Sequence, residues 1–407
     1  MREVTQPVRA RGTMLSAVAV VAALAALLVL APFASATSDP VASGTTTITL
    51  NKGLYKKLKK NGVKVLKVSP GKVNKRKVTL TVAGGSMDPT NGLGSLELSG
   101  GFKFKAGKKQ ATVKGLILDT AQSKLTGKVA NKKMKIATVS GLTYARNGFG
   151  VNVNVAKMKL TGNAAKQLNK KLGFTGSKKS SASVSKTTQP PFKGGQVLGG
   201  SYSETQPKTV AVIATGTADL NTSEPTVKKF VLAPPEGYAV KIEPVTPAEG
   251  LPGPTLFSPI LRFPIAGGTI APDASGGTVQ TSGSVQLHQV LGPGLETTMT
   301  LNAIWVDLSA KTATVEVNVS STIDPKLNLG ALGRSSIANL NLTGATIVSD
   351  PTNRKVSVIN ASATLQAVTA ETLNSVFGAP LDAKSIPHPK FNEGDPLGTF
   401  SFVVQTQ

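Results

Sequence analysis

Apolar and polar residues alternate along much of this chain, the period of a strand with one buried face. Val78-Thr-Leu-Thr-Val82 and Val151-Asn-Val-Asn-Val155 show it, as do Ala313-Thr-Val-Glu-Val-Asn-Val319 and Val356-Ser-Val-Ile-Asn-Ala-Ser-Ala363. Gly and Pro clusters interrupt these runs at intervals of about ten residues, the punctuation of a sandwich or barrel. Helical spacing is confined to short stretches. Residues 54–60 follow an alternating strand at 45–50. A second stretch places Ala164, Leu168 and Leu172 at i, i+4 and i+8, so that one stripe packs onto a sheet. Asn163 is its expected cap, and Gly173 ends it in left-handed geometry.

These patterns occur twice. Val82-Ala-Gly-Gly-Ser-Met-Asp-Pro89 returns as Ile265-Ala-Gly-Gly-Thr-Ile-Ala-Pro272. At the same offset Gly94-Ser-Leu-Glu-Leu-Ser-Gly100 returns as Gly277-Thr-Val-Gln-Thr-Ser-Gly283. Leu168-Asn-Lys-Lys-Leu-Gly173 matches Leu373-Asn-Ser-Val-Phe-Gly378, with Thr369 as the second helix's cap. Phe192-Lys-Gly-Gly-Gln-Val-Leu-Gly199 matches Phe391-Asn-Glu-Gly-Asp-Pro-Leu-Gly398. Four blocks in one order mark a duplication. The fold expected is mainly β: two tandem homologous β-sandwich or barrel-like repeats, at 37–207 and 208–407, each with one or two short helices. The counterpart of the 54–60 helix is blurred in repeat two. Lys, Ser and Thr crowd out apolar residues at 176–188, a flexible loop inside repeat one. The Gly84-Gly85 and Gly267-Gly268 pairs read as turn or bulge positions.

The first 36 residues depart from alternation. Arg2, Arg9 and Arg11 precede an uncharged apolar stretch from Met14 to Phe33, closed by Ala34-Ser35-Ala36. This is the layout of a cleaved secretory signal peptide; a retained N-terminal membrane anchor is the alternative. The expected location is secreted or at the cell surface. With no cysteine in the chain, disulfides and thiol chemistry are excluded.

Charge separates the repeats. Residues 51–200 hold 31 Lys and Arg against 3 acids, whereas residues 201–407 hold 12 against 16. The excess is nearly all lysine. Lys56, Lys57, Lys59 and Lys60, and then Lys132, Lys133 and Lys135, are the candidate polyanion-binding residues. An anionic cell-wall polymer or a membrane surface is the expected partner; a merely solvated face is the other reading. Arginine and interleaved aromatics are scarce, so no specific nucleic-acid recognition is expected.

Catalytic groups are sparse. Repeat one has no His and only Asp88, Glu97 and Asp119 as acids, so it cannot assemble a Ser-His-Asp site. His288 falls in an apparent strand where repeat one has Lys105, and His388 lies between two prolines. No metalloprotease, phosphate-loop or dinucleotide pattern occurs. Paired carboxylates for an enzyme acting on envelope polymers find no distinctive spacing in repeat two. The expectation is a non-catalytic protein.

The repeated blocks resemble the HtaA family of actinobacterial secreted and surface proteins. The resemblance rests on Gly277-Thr-Val-Gln-Thr-Ser-Gly283 with its upstream Gly-Gly pair, on Thr369-Ala-Glu-Thr-Leu-Asn-Ser-Val-Phe-Gly378, and on Phe391-Asn-Glu-Gly-Asp-Pro-Leu-Gly398. Characterised HtaA domains are β-rich and bind haem with a Tyr on the iron supported by a His. The resemblance therefore implies haem as cofactor, with Tyr55 in Leu50-Asn-Lys-Gly-Leu-Tyr55 and His288 as candidate ligands. The Trp-containing segment that precedes the family's Tyr is missing here. Repeat one has no His, and repeat two has no match to Tyr55, Tyr238 being the nearest.

Overall fold

The computed structural model describes residues 38–174, 189–232, 239–377 and 390–407. The leader at 1–36, the loop at 176–188, Tyr238, Gly378 and His388 lie outside the described residues.

The alternating segments form two antiparallel sheets. The first contains β1 (Asp39–Leu50), β2 (Val63–Val68), β3 (Lys72–Asn74), β4 (Lys77–Met87) and β5 (Gly94–Ala106). It continues with β6 (Lys109–Asp119), β7 (Lys124–Val129), β8 (Lys132–Asn147), β9 (Gly150–Leu160) and β10 (Val197–Pro207). The second contains β11 (Val210–Ala211), β12 (Thr217–Thr222), β13 (Val240–Val245), β14 (Glu249–Leu251), β15 (Ile260–Ile270) and β16 (Gly277–Thr281). After these come β17 (Ser284–Gly292), β18 (Leu295–Asp307), β19 (Thr312–Ser321) and β20 (Gly330–Asn341). It ends with β21 (Thr346–Asp350), β22 (Lys355–Leu365) and β23 (Pro396–Gln405).

Both sheets close. In the first, β1, β4, β5, β6, β7, β8, β9 and β10 form a ring, because β5 pairs with β4 on one side and β6 on the other. In the second, β16 joins β15 to β18 and completes a ring with β12, β19, β20, β22 and β23. The fold is thus two barrels rather than sandwiches, which leaves the ring strands no free edge. Alternation then sorts the side chains: Val151, Val153 and Val155 are buried inside the first barrel while Asn154 between them faces out. A separate core fills the second.

The glycine pairs are bulges. Register shifts between Val82 and Gly84 in β4, and between Ile265 and Gly267 in β15. Beside these shifts Gly85 and Gly268 hold φ of 117° and 110°, where a side chain would strike the carbonyl oxygen of Ser95 or Thr278. A bulge bends its strand, and bent strands are what a closing barrel needs.

Among the described residues each barrel carries two α-helices: α1 (Lys52–Lys60) and α2 (Gly162–Leu172), then α3 (Glu224–Val231) and α4 (Ala367–Phe377). The blurred counterpart of α1 is α3; Pro225 in its first turn and Thr226 facing inward hide the apolar stripe. The cap of α2 is Thr161, whose Oγ1 accepts from the Ala164 amide at 3.2 Å. Asn163 is already inside that helix. Thr369 likewise lies within α4 and gives its hydroxyl to the Ser336 carbonyl. Gly173 ends α2 with φ 80°.

Two repeated blocks meet through one contact. Asn169 on α2 donates Nδ2 to the Phe192 carbonyl at 2.8 Å and accepts from the Phe192 amide at 3.2 Å. Asn374 on α4 clamps Phe391 in the same way, at 2.8 Å for each bond. Where the barrels adjoin, Phe149 from the turn between β8 and β9 is buried in the second core. Asp39, 5 % exposed, sits there beside Arg146. One carboxylate oxygen of Asp39 and Nη2 of Arg146 are buried without a hydrogen-bond partner.

Candidate functional site

A sheet places residues from distant parts of the sequence opposite one another, and here it lines up lysines. Lys114 on β6 lies opposite Lys128 on β7, which lies opposite Lys133 on β8. All three side chains are exposed on the outer face, and none makes an ion pair. Lys64 on β2 similarly faces Lys105 on β5. Like charges directly opposite on a sheet repel and cost stability.

The second barrel supplies the comparison. By register, the row equivalent to Lys114, Lys128 and Lys133 is Asn302, Glu316 and Arg334. There Arg334 reaches Glu316 at 3.2 Å, lies 3.8 Å above the Trp305 ring and donates to the Ala303 carbonyl. The pair equivalent to Lys64 and Lys105 is Lys241 and His288, and His288 contacts Glu296 at 3.2 Å. In the second barrel the row holds an acid paired with a base, and of the five positions only Lys241 remains a lysine; the first barrel leaves every one of them cationic. Of the six ion pairs among the described residues, only Lys124–Asp119 is in the first barrel.

The lysines singled out from sequence fall into two groups. Lys133 belongs to the row, Lys135 follows on the same strand, and Lys132 is exposed at the start of β8. Lys56, Lys59 and Lys60 are exposed on α1, where the Lys59 ammonium lies 5.3 Å from the Tyr55 ring centroid. Lys57 differs from these. Its ammonium donates to the Pro190 carbonyl at 2.9 Å, and burial, reinforced by Lys193, holds its pKa below the usual lysine value. The equivalent Lys229 makes a matching bond to the Lys390 carbonyl. Lys57 is therefore a structural tie and not a free cation. Lys64, Lys105, Lys114 and Lys128 were missed, because isolated lysines in separate strands form no run; only their outward phase hinted at a shared face.

Replacing Lys128 by Glu turns its two repulsive cross-strand contacts into attractive ones. Lys128→Glu is expected to raise Tm by about 2 °C. A fall in Tm measured by circular dichroism would remove the idea that the row is under charge strain.

The two candidate haem ligands stand in different barrels, as their places in different repeats require. Tyr55 is on α1, packed against the first core, and His288 is on β17 of the second barrel, on the outer face opposite Leu287. At the position of Tyr55 the second barrel has Val227, and at that of His288 the first has Lys105. The second barrel contains an apolar cavity of about 100 Å3 between α3, α4 and the strands. Cofactor pockets are several times larger, about 300 Å3 or more, and among the described residues its lining offers no Tyr or His. These residues do not fit the Tyr–His arrangement. Among the described residues no three His, Asp or Glu side chains gather as metal ligands.

The HtaA family model matches residues 253–385. The crystal structure of the C-terminal domain of HtaA from Corynebacterium glutamicum is 14% identical, covering 49% of this chain and 99% of that one at a TM-score of 0.32. The N-terminal domain of the same protein is also 14% identical, covering 48% of this chain and 98% of that one, again at 0.32. No curated protein matches the chain. Within its second repeat the chain thus carries a segment, residues 253–385, that is similar to the HtaA domain.

Proposed function

We propose that this is an exported, non-catalytic binding protein whose first barrel docks on anionic material of the cell envelope. The observation that supports it is the row Lys114, Lys128, Lys133, uncompensated where the duplicate barrel carries Glu316 and Arg334. A barrel that needed only solubility could use the mixed charges of its twin. Retaining opposed lysines costs stability that a bound anionic surface would return. The HtaA domain is a binding-type domain, in keeping with this reading.

The test uses the full chain with phosphatidylglycerol vesicles. Each basic residue close to an anionic surface contributes about 1 kcal/mol. The triple variant Lys114→Gln, Lys128→Gln, Lys133→Gln should therefore bind about two orders of magnitude more weakly. Binding should also fall as salt shortens the screening length below about 8 Å. Retention indifferent to both salt and the triple substitution would dispose of the proposal.

A further inference from the structure

The cavity of the second barrel exists because of particular substitutions between the two repeats. In the first barrel Phe104 faces Val65 and Ala111 across the strands, and Phe102 faces Val113. Both rings are fully buried, packed edge to face at 5.4 Å, and Phe104 also meets Phe192 at 4.9 Å. The same registers in the second barrel give Leu287 opposite Ile242 and Met299, and Val285 opposite Leu301. At the position of Met134, which packs on the first core, the second barrel has Ser335. Three large side chains have become smaller. Met299 and Phe400, in place of Ala111 and Ser201, take back part of the space.

What is left is the cavity of about 100 Å3, whose walls include Val285, Leu287, Met299 and Phe230. A second space of about 60 Å3 adjoins it, sharing Met299, Leu301, Ile337, Thr369 and Leu373. Its outer wall includes Leu332 and Val368, 44% and 57% exposed, so apolar surface continues from the interior to solvent between β20 and the first turn of α4. Ser335, Ser336 and Thr372 also line it, and the Ser336 hydroxyl is buried without a hydrogen-bond partner. Buried hydroxyls ordinarily find one.

We infer that the second barrel binds the end of a single hydrocarbon chain, with the polar end of the amphiphile at the serine- and threonine-lined mouth. An apolar cavity of about 150 Å3 stays dry and accepts a six-carbon ring, so the interior of about 100 Å3 takes about four carbons of the chain. The rest lies along Leu332 and Val368. Among the described residues no charged side chain lines either space, so recognition comes from the chain and not from a charged head. This site is distinct from the lysine row and does not depend on it.

Met299 is the single methionine of the second barrel; Met87, Met134 and Met158 are in the first. With methionine methyls labelled with carbon-13, dodecanoic acid should shift the Met299 resonance and leave those three in place. Neutral phosphatidylcholine vesicles form a second arm. A shift with both shows a chain drawn from a bilayer as well as from solution, and a shift with dodecanoic acid alone shows a free amphiphile. No Met299 shift with either overturns the inference. The variant Val285→Phe, Leu287→Phe restores the side chains of the first barrel and should weaken dodecanoic acid binding by about tenfold or more. Should that variant fail to fold, Ser335→Met closes the mouth instead and should have the same effect. Unchanged affinity in a folded filled variant also overturns it. The lysine triple variant should bind dodecanoic acid like the parent, which separates this site from the docking face.

Discussion

Asp39→Asn should stabilise the protein at neutral pH by about 3 kcal/mol and leave it nearly unchanged near pH 4. Asp39 is buried where the barrels adjoin, and that burial lifts its pKa from 3.8 to about 6. The Ala211 amide and the Arg146 guanidinium pull in the other direction and Asp88 adds to the rise, but burial wins. The folded protein therefore holds the Asp39 proton between about pH 4 and pH 6, where the unfolded chain has lost it. Stability from this group is fully present below 3.8 and is lost as pH climbs through about 6. Asparagine carries no such proton, so the difference between parent and variant should open across that window. Urea denaturation at pH 4 and pH 7.5 checks it, and a difference equal at both pH values would refute it. Arg146 shares the strain: burial first, and then Arg354, hold its pKa below the usual value.

Asn169→Ala should cost about 2 to 4 kcal/mol. It leaves the amide and carbonyl of Phe192 without their partner, and each unsatisfied buried backbone group costs roughly 1–3 kcal/mol. The Phe192 ring, 2% exposed, depends on that backbone to stay against Phe104. Asn374→Ala should cost a similar amount through Phe391. Because the two clamps are in different barrels, their effects should add. Hydrogen exchange gives a local readout: in Asn169→Ala the Phe192 amide should lose protection while that of Phe391 keeps it. Equal protection in parent and variant would mean that Asn169 does not carry the strap.

The duplication was legible because both copies conserve features with no substitute. Gly85 and Gly268 occupy bulges where a side chain would collide with a carbonyl. Asn169 and Asn374 clamp a strap that only an amide can hold from both sides. The helix caps were misplaced by two residues or more, since Asn163 and Thr161 are both good caps and the backbone chooses between them. α3 was blurred because its inward positions mix Thr226 and Val227 with Phe230. Lysine runs drew attention to α1 and the start of β8, yet Lys57 is tied to Pro190 and the aligned row runs through residues that no run contains.

The linear order of residues determined the two copies, their β character, the bulges, the αL end of α2 and the concentration of positive charge in one half. Each follows from local sterics, from a period of two or from simple counting, and none needs a partner distant in the chain. Whether the strands made sandwiches or barrels was decided by β4 meeting β5 and by β16 bridging β15 and β18. The opposition of Lys114, Lys128 and Lys133 and the cavity left by Val285 and Leu287 were decided in the same way. These are properties of cross-strand register and packing, which join residues tens of positions apart, and only closure of the barrels brings them face to face.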